Sequence, residues 1–366
     1  MEFPYVRNVN FPNRYISPQK LFDFLQERYA SIITPIGTSV LGQPIYQLSI
    51  GTGAIKVAAW SQMHGNESTA TLAMLDLLAT MEASPDLGEL LWKKISLDFI
   101  LMLNPDGALV WERRNAVGID VNRDFLKKSS QEMRILQEFI QKKPYDYALN
   151  LHDQRTIFTT DGNTPATLSF LAPSENEERE MTENRKKSMA VITMIYKGLE
   201  YEIPHHIGRY TDEFYPTAVG DNLMKLGIPT ILFEGGHFPD DYYRQQTRQY
   251  YTQALYSALL AMAKLKGGTA SYEAYFNIPM NQTTHYDLIY RNLSINTQEP
   301  CMVDIAVQYK EKYNGGEEID FIPYIVEIGD CSAKKAWKEI DATGLFYIGK
   351  HYPKIDEIAE FEIGEI

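Results

Sequence analysis

The chain has 366 residues, 44% hydrophobic and 23% charged, with 24 tyrosines. This composition belongs to a folded globular protein, and the length accommodates a large core and more than one domain. A net charge of −13 argues against nucleic acid or an anionic membrane as the main partner, and no run approaches the roughly 18 apolar residues of a membrane span.

In chain order, residues 18–30 read as a helix with Leu21, Phe22, Leu25 and Tyr29 on one face. Strands are expected over 45–50 and 56–61, the second a short apolar run ending just before His64. Residues 68–81 read as a helix, 97–103 as a buried strand, and Asn104-Pro105-Asp106-Gly107 as a turn that stops it. A helix over 131–141, a strand over 147–151, a charged helix over 176–200, a strand over 230–233 and a helix over 241–264 complete an alternating pattern. The pattern predicts an α/β fold with a mixed, mostly parallel central sheet flanked by helices, over residues 1–266. Past Gly267-Gly268-Thr269 the pattern shifts to alternating strands, notably 302–309 and 321–326, so 267–366 reads as a smaller β-rich C-terminal domain. That segment is expected to pack against the first domain or to mediate self-association. Cys301 and Cys331 imply no disulfide framework, and the first residues show no basic start before an apolar run, so a cytoplasmic location is expected; a leader already removed would look the same.

Three candidate residues follow three predicted strands: His64, His152 and Glu234. Sites in open α/β sheets collect at the carboxyl ends of strands. His64 and Glu67, three apart, with His152 beyond them, form the ligand set of a catalytic zinc ion: two imidazoles and a carboxylate leave a tetrahedral position open. The plain alternative is a surface His and a helix-start Glu. Arg113 and Arg114, close to Asn122-Arg123, concentrate positive charge suited to a carboxylate, or form a solvated loop paired to Asp120 and Asp124. Glu234 after an apolar strand is costly to bury unpaired, which favours a role in the site. Asp153 is read equally as a carboxylate orienting a ligand or as a loop acid.

The order His64-Gly65-Asn66-Glu67, Asn104-Pro105-Asp106-Gly107, Arg113 with Gly118-Ile119-Asp120-Val121-Asn122-Arg123-Asp124-Phe125, His152 and then Glu234 resembles the zinc metallocarboxypeptidase superfamily, over residues 15–260. The resemblance implies one Zn²⁺ per chain on His64, Glu67 and His152, with Glu234 as general base. It implies Arg113 as the group that polarises the scissile carbonyl, with Arg114 able to exchange roles, and Asn122 and Arg123 as the anchor for a free terminal carboxylate. A tyrosine covering the substrate is also implied; Tyr210 and Tyr215 compete, and Tyr210 is preferred. The expected substrate is a peptide or N-acyl amino acid, cut by a carboxypeptidase. A zinc amidase or deacylase acting on cell-wall peptides, glutamylated side chains or N-acyl amino acids is the alternative.

Overall fold

The computed structural model describes residues 3–296, 298–299 and 301–365. The strands are β1 (Ile33–Thr38), β2 (Pro44–Ile50), β3 (Ile55–Trp60), β4 (Ile95–Ile100), β5 (Tyr147–Asp153), β6 (Phe158–Thr159), β7 (Leu168–Leu171), β8 (Ile207–Arg209) and β9 (Thr230–Gly235). Between and after them run the helices α1 (Pro18–Tyr29), α2 (Thr69–Ala83), α3 (Pro85–Trp92), α4 (Pro105–Val110), α5 (Gln131–Gln141), α6 (Glu183–Leu199), α7 (Val219–Lys225) and α8 (Gln245–Leu265). An eight-stranded sheet has the order β1-β2-β4-β3-β5-β9-β7-β8. Its central pairs β3/β4, β3/β5 and β5/β9 are parallel, as is β7/β8, and β1/β2, β2/β4 and β7/β9 are antiparallel.

Side chains of a strand alternate between faces, and β3 shows the consequence. Val57 and Ala59 join the core under α1, α2, α6 and α8, whereas Ala58 and Trp60 join the core under α5 and α7. The sheet is therefore covered on both sides, which is why its strands read as continuous apolar runs rather than alternating ones. α2 is buried along almost its whole length, between sheet and α8.

The C-terminal strands are β10 (Gln282–Thr283), β11 (His285–Ser294), β12 (Met302–Tyr313), β13 (Ile319–Gly329), β14 (Lys335–Asp341), β15 (Phe346–Ile348) and β16 (Glu362–Gly364). Six of them form a second sheet, β13-β12-β11-β15-β16 with β14 also on β11, around its own core of Leu288, Leu293, Ile305, Val307 and Ile325. β10 instead pairs with β6 of the first unit.

Four local readings are corrected. Asn104-Pro105-Asp106-Gly107 opens a helix: Asn104 Oδ1 accepts from Gly107 N–H at 2.9 Å and caps α4. α6 starts at Glu183, because Thr182 caps it, accepting from Arg185 N–H at 3.3 Å. α8 starts at Gln245, since the Asp241 carboxylate accepts from the backbone N–H groups of Gln245, Gln246 and Thr247. The strands β1, β7 and β8 and helix α3 appear where no element is expected. No helix among the described residues is long and apolar enough to cross a membrane.

Candidate active site

His64 and Glu67 leave the end of β3 in one tight turn. A Cβ on Gly65 would lie 2.1 Å from the carbonyl carbon of Gly107, so the turn fits only with glycine, and the motifs at 64–67 and 104–107 touch backbone to backbone. Just before the turn Gln62 is left-handed, with φ 46°. Its side chain is clamped, donating to Gly65 O at 2.9 Å and accepting from Thr71 Oγ1 at 2.7 Å. Strain of this kind persists where the surroundings over-determine the backbone.

The turn brings His64 and Glu67 against His152 at the end of β5. Glu67 Oε1 is 2.8 Å from His64 Nδ1, Glu67 Oε2 is 2.7 Å from His152 Nδ1, and the two Nδ1 atoms are 3.1 Å apart. The three residues are 2%, 7% and 2% exposed. Ligands about 2.0–2.1 Å from a tetrahedral zinc stand about 3.3 Å from one another, and these potential ligand atoms all lie within 4.8 Å of each other. Arg113 already leans a cation into the cluster, Nη1 lying 3.0 Å from His64 Nδ1 and 3.1 Å from Glu67 Oε1. Donor chemistry, spacing and attraction for positive charge all fit a zinc ion.

Burial works against an ionised Glu67, but His64 and His152 outweigh it and hold the carboxyl well below its ordinary range. Burial likewise opposes a charged His64, yet Glu67 and Asp120 raise its pKa; at His152 burial prevails and the pKa falls. Asp120 Oδ1 lies 3.1 Å from His64 Nε2, and its Oδ2 accepts from Arg113 Nε at 3.1 Å. One carboxylate thus orients both a ligand imidazole and the arginine. Burial opposes its ionisation, but His64, Arg113 and Arg123 hold the Asp120 carboxyl well below the usual range. Asp153 acts otherwise: its carboxylate accepts from Thr69 Oγ1 at 2.7 Å at the start of α2, while its backbone N–H donates to Glu67 Oε2 at 3.2 Å. It therefore orients Glu67 by its backbone.

Glu234 stands opposite His152 in the β5/β9 register. Among the described residues its Oε2 has no hydrogen-bond partner. Burial first, then the negative charges of Glu67 and Asp153, push its pKa well above the ordinary carboxylate range. A cavity of about 760 Å³ lies over Glu234 and the cluster. Arg113, Asn122, Arg123, Tyr210 and Tyr215 all line it. Asn122 Oδ1 accepts from Val219 N–H at 3.1 Å, fixing the Arg123 loop against α7, and the Arg123 guanidinium lies 5.4 Å from the Tyr215 ring centre. Tyr210 donates to Gln154 Oε1 at 2.6 Å, and burial raises its pKa. Arg114 is not brought in: its Nη1 donates to Gly118 O at 2.9 Å, within its own loop. Unlike Arg113, it does not line the cavity. Asp124 accepts from Ser129 and Ser130 N–H, and among the described residues it pairs with no arginine.

Residues 19–223 match the zinc carboxypeptidase family (peptidase M14). The chain belongs to that family. Carboxypeptidase 2 of Trichophyton rubrum is 32% identical over 100 residues, which is 27% of this chain but only 19% of that protein. A metallo-carboxypeptidase from Burkholderia cenocepacia superimposes with a TM-score of 0.54 at 16% identity, covering 68% of this chain and 70% of the other. Carboxypeptidase A from Helicoverpa armigera gives 0.54 at 15% identity, over 68% and 74%. The two solved structures share the carboxypeptidase fold with this chain.

Within this zinc carboxypeptidase-family chain, sequence reading misses the double role of Asp120. The signal is its place two residues before Asn122, where its carboxylate also accepts from Asn122 N–H at 3.0 Å and caps the short 3₁₀ turn Val121–Arg123. It also misses Arg14, Arg155 and the stretch 308–311, all of which line the cavity.

Proposed function

We propose that the protein is a zinc-dependent carboxypeptidase that releases C-terminal residues from peptides, with its chemistry in residues 1–266 and an accessory β-rich domain in 267–366. The observation that carries this is Glu234, its Oε2 without a hydrogen-bond partner among the described residues, in register with His152 and lining the same cavity as Asn122 and Arg123. His64, Glu67 and His152 would hold one zinc ion, which when bound supplies a Lewis acid for the scissile carbonyl and lowers the pKa of the attacking water. Glu234 takes the proton of that water. Its raised pKa suits the second half of its work, returning the proton to the leaving amine. Arg113, 45% exposed and held by Asp120, offers its guanidinium to the negative charge that develops on the carbonyl oxygen. Arg123 and Asn122 bind the free terminal carboxylate. Tyr210, fixed by Gln154, covers the substrate.

An amidase or deacylase with the same cluster would need Glu234 but would not read a free terminus. Matched peptides with free and amidated ends separate the two. The free-ended peptide is expected to be cut at least 10²-fold faster, and Arg123→Ala to remove most of that advantage, as loss of a charged anchor does. Equal cutting of both peptides contradicts the carboxypeptidase reading.

A further inference from the structure

The C-terminal sheet reaches into the cavity over Glu234. Gln308, Tyr309, Lys310 and Glu311, all on β12, line it. They are held firmly: Gln308 Nε2 donates to Thr156 Oγ1 at 2.9 Å, and Glu311 accepts from Arg14 at 2.6 Å and from Trp111 Nε1 at 3.0 Å. Nearby, Tyr313 stacks on Tyr15 at 4.3 Å, and Trp337 Nε1 donates to Thr156 O at 2.9 Å. The second sheet is thus docked as a wall of the site.

Two sets of the lining residues are held by contacts of their own. One contains Asn122, Arg123, Tyr215 and Asp221, joined through Asn122–Val219, Arg123–Tyr215 and Tyr215–Asp221 contacts. The other contains Thr156, Arg14, Gln308 and Glu311, with Arg155 and Lys310 beside them. Among the described residues no hydrogen bond or ion pair links the two groups. If a peptide's terminal carboxylate lies on Arg123 and its last amide lies over the cluster, β12 with Arg155 is a wall of the same cavity open to the residue upstream of that amide.

The charge left over at that end is positive. Glu311 is already consumed by Arg14 and Trp111. Arg155 has no hydrogen bond or ion pair among the described residues. Among the described residues the Lys310 ammonium has no hydrogen bond or ion pair and lies 3.9 Å from the Tyr324 ring centre. Arg14 is 3% exposed and its Nε is unpartnered among the described residues. Arg155, without a partner among the described residues and with Lys310 also lining the cavity, leaves positive charge at this end that favours anions.

We propose that β12 and Arg155 form a subsite for the residue immediately upstream of the cleaved bond, and that this subsite selects an acidic residue. The proposal rests on the carboxypeptidase reading for its direction along the cavity. The test uses full-length, zinc-loaded protein and peptides that share the released residue and carry Glu, Ala or Lys just before it. Wild type is expected to show kcat/KM about tenfold or more higher for Glu than for Lys, the scale of one well-placed charge contact. Arg155→Ala and Lys310→Ala each bring the Glu/Lys ratio towards one, and Arg155→Glu inverts it. A Glu/Lys ratio at or below one in wild type overturns the proposal, and an unchanged ratio in Lys310→Ala overturns the part assigned to the C-terminal sheet. If no peptide is cut, the carboxypeptidase reading is what has failed. The subsite is then judged by calorimetric binding of the same peptides to Glu234→Gln: tighter binding of the Glu peptide, lost in the added Arg155→Ala change, supports it, and equal affinities overturn it.

Discussion

Two buried charge clusters lie among the helices and strands of the eight-stranded sheet, and they are built to opposite ends. Asp76 on α2 and Arg248 on α8 are 0% and 1% exposed. Asp76 is fully engaged, by Tyr5 Oη at 2.7 Å, Asn8 N–H at 2.8 Å, Arg248 Nε at 2.6 Å and Arg248 Nη2. Arg248 in turn donates to the carbonyl of Phe11 at 2.5 Å. The N-terminal segment, α2 and α8 are thereby tied at one point, with no capacity left over. In the other cluster His64, Glu67 and His152 are buried almost as well and Glu234 is half-buried, yet Glu234 Oε2 and His152 Nε2 have no partner among the described residues. A buried polar group costs free energy unless it is paired. The closed cluster serves architecture, and under the proposed function the open one is held for a metal and a reactant.

The largest effect is expected at the ligands. His152→Ala should remove the zinc and with it activity, on the order of 10³-fold or more in kcat/KM, because a two-ligand remnant neither holds nor positions the metal. Metal analysis beside peptide assays checks both losses. Next in size comes a contrast in stability. Asp76→Ala strands the Arg248 guanidinium and should cost about 3–5 kcal/mol by denaturant unfolding, while the folded fraction keeps its turnover. In metal-free protein Glu234→Gln should do the reverse and stabilise. The sign follows from a folded-state pKa raised above the unfolded one: the native state holds the extra proton, so the ionised carboxylate destabilises it as pH rises through the ordinary carboxylate range. The gain in denaturation midpoint should therefore vanish at pH below that range and grow above it. A gain that shrinks as pH rises would contradict the assigned environment. The smallest effect is expected at Asp120→Asn, which keeps a hydrogen-bonding side chain beside His64 but removes its charge. Zinc affinity should fall about 10–100-fold in a competitive chelator titration.

Much of this was legible locally. His64, His152 and Glu234 stand at the ends of three short apolar runs, and parallel strands β3, β5 and β9 carry such runs to one edge of the sheet. Periodicity also locates α1, α2 and α5 closely. Elements too short or too irregular for a pattern were not legible. β7 and β8 have four and three residues. β1 contains Pro35 and Gly37 and shifts register between them, a bulged strand on the sheet edge that reads as a loop. The acidic stretch before Thr182 has helical composition, but the Asn176 side chain accepts from Glu180 N–H at 3.1 Å and folds it as a turn. Arg114 illustrates a different limit: sequence proximity places two arginines near the site, but only packing decides which one faces it. The wall supplied by β12 lies 74 or more residues beyond Glu234 in the chain, and no local spacing announces such a contact.

The central claim is that the open cluster divides its labour, three residues for the metal and Glu234 for the proton. The most direct test measures zinc content and peptide turnover together in wild type and in Glu234→Gln. One zinc per chain in both proteins, with turnover falling by about 10²–10⁴-fold in the variant, is the expected result. Full turnover in the variant, or no stoichiometric zinc in active wild-type protein, would contradict the account.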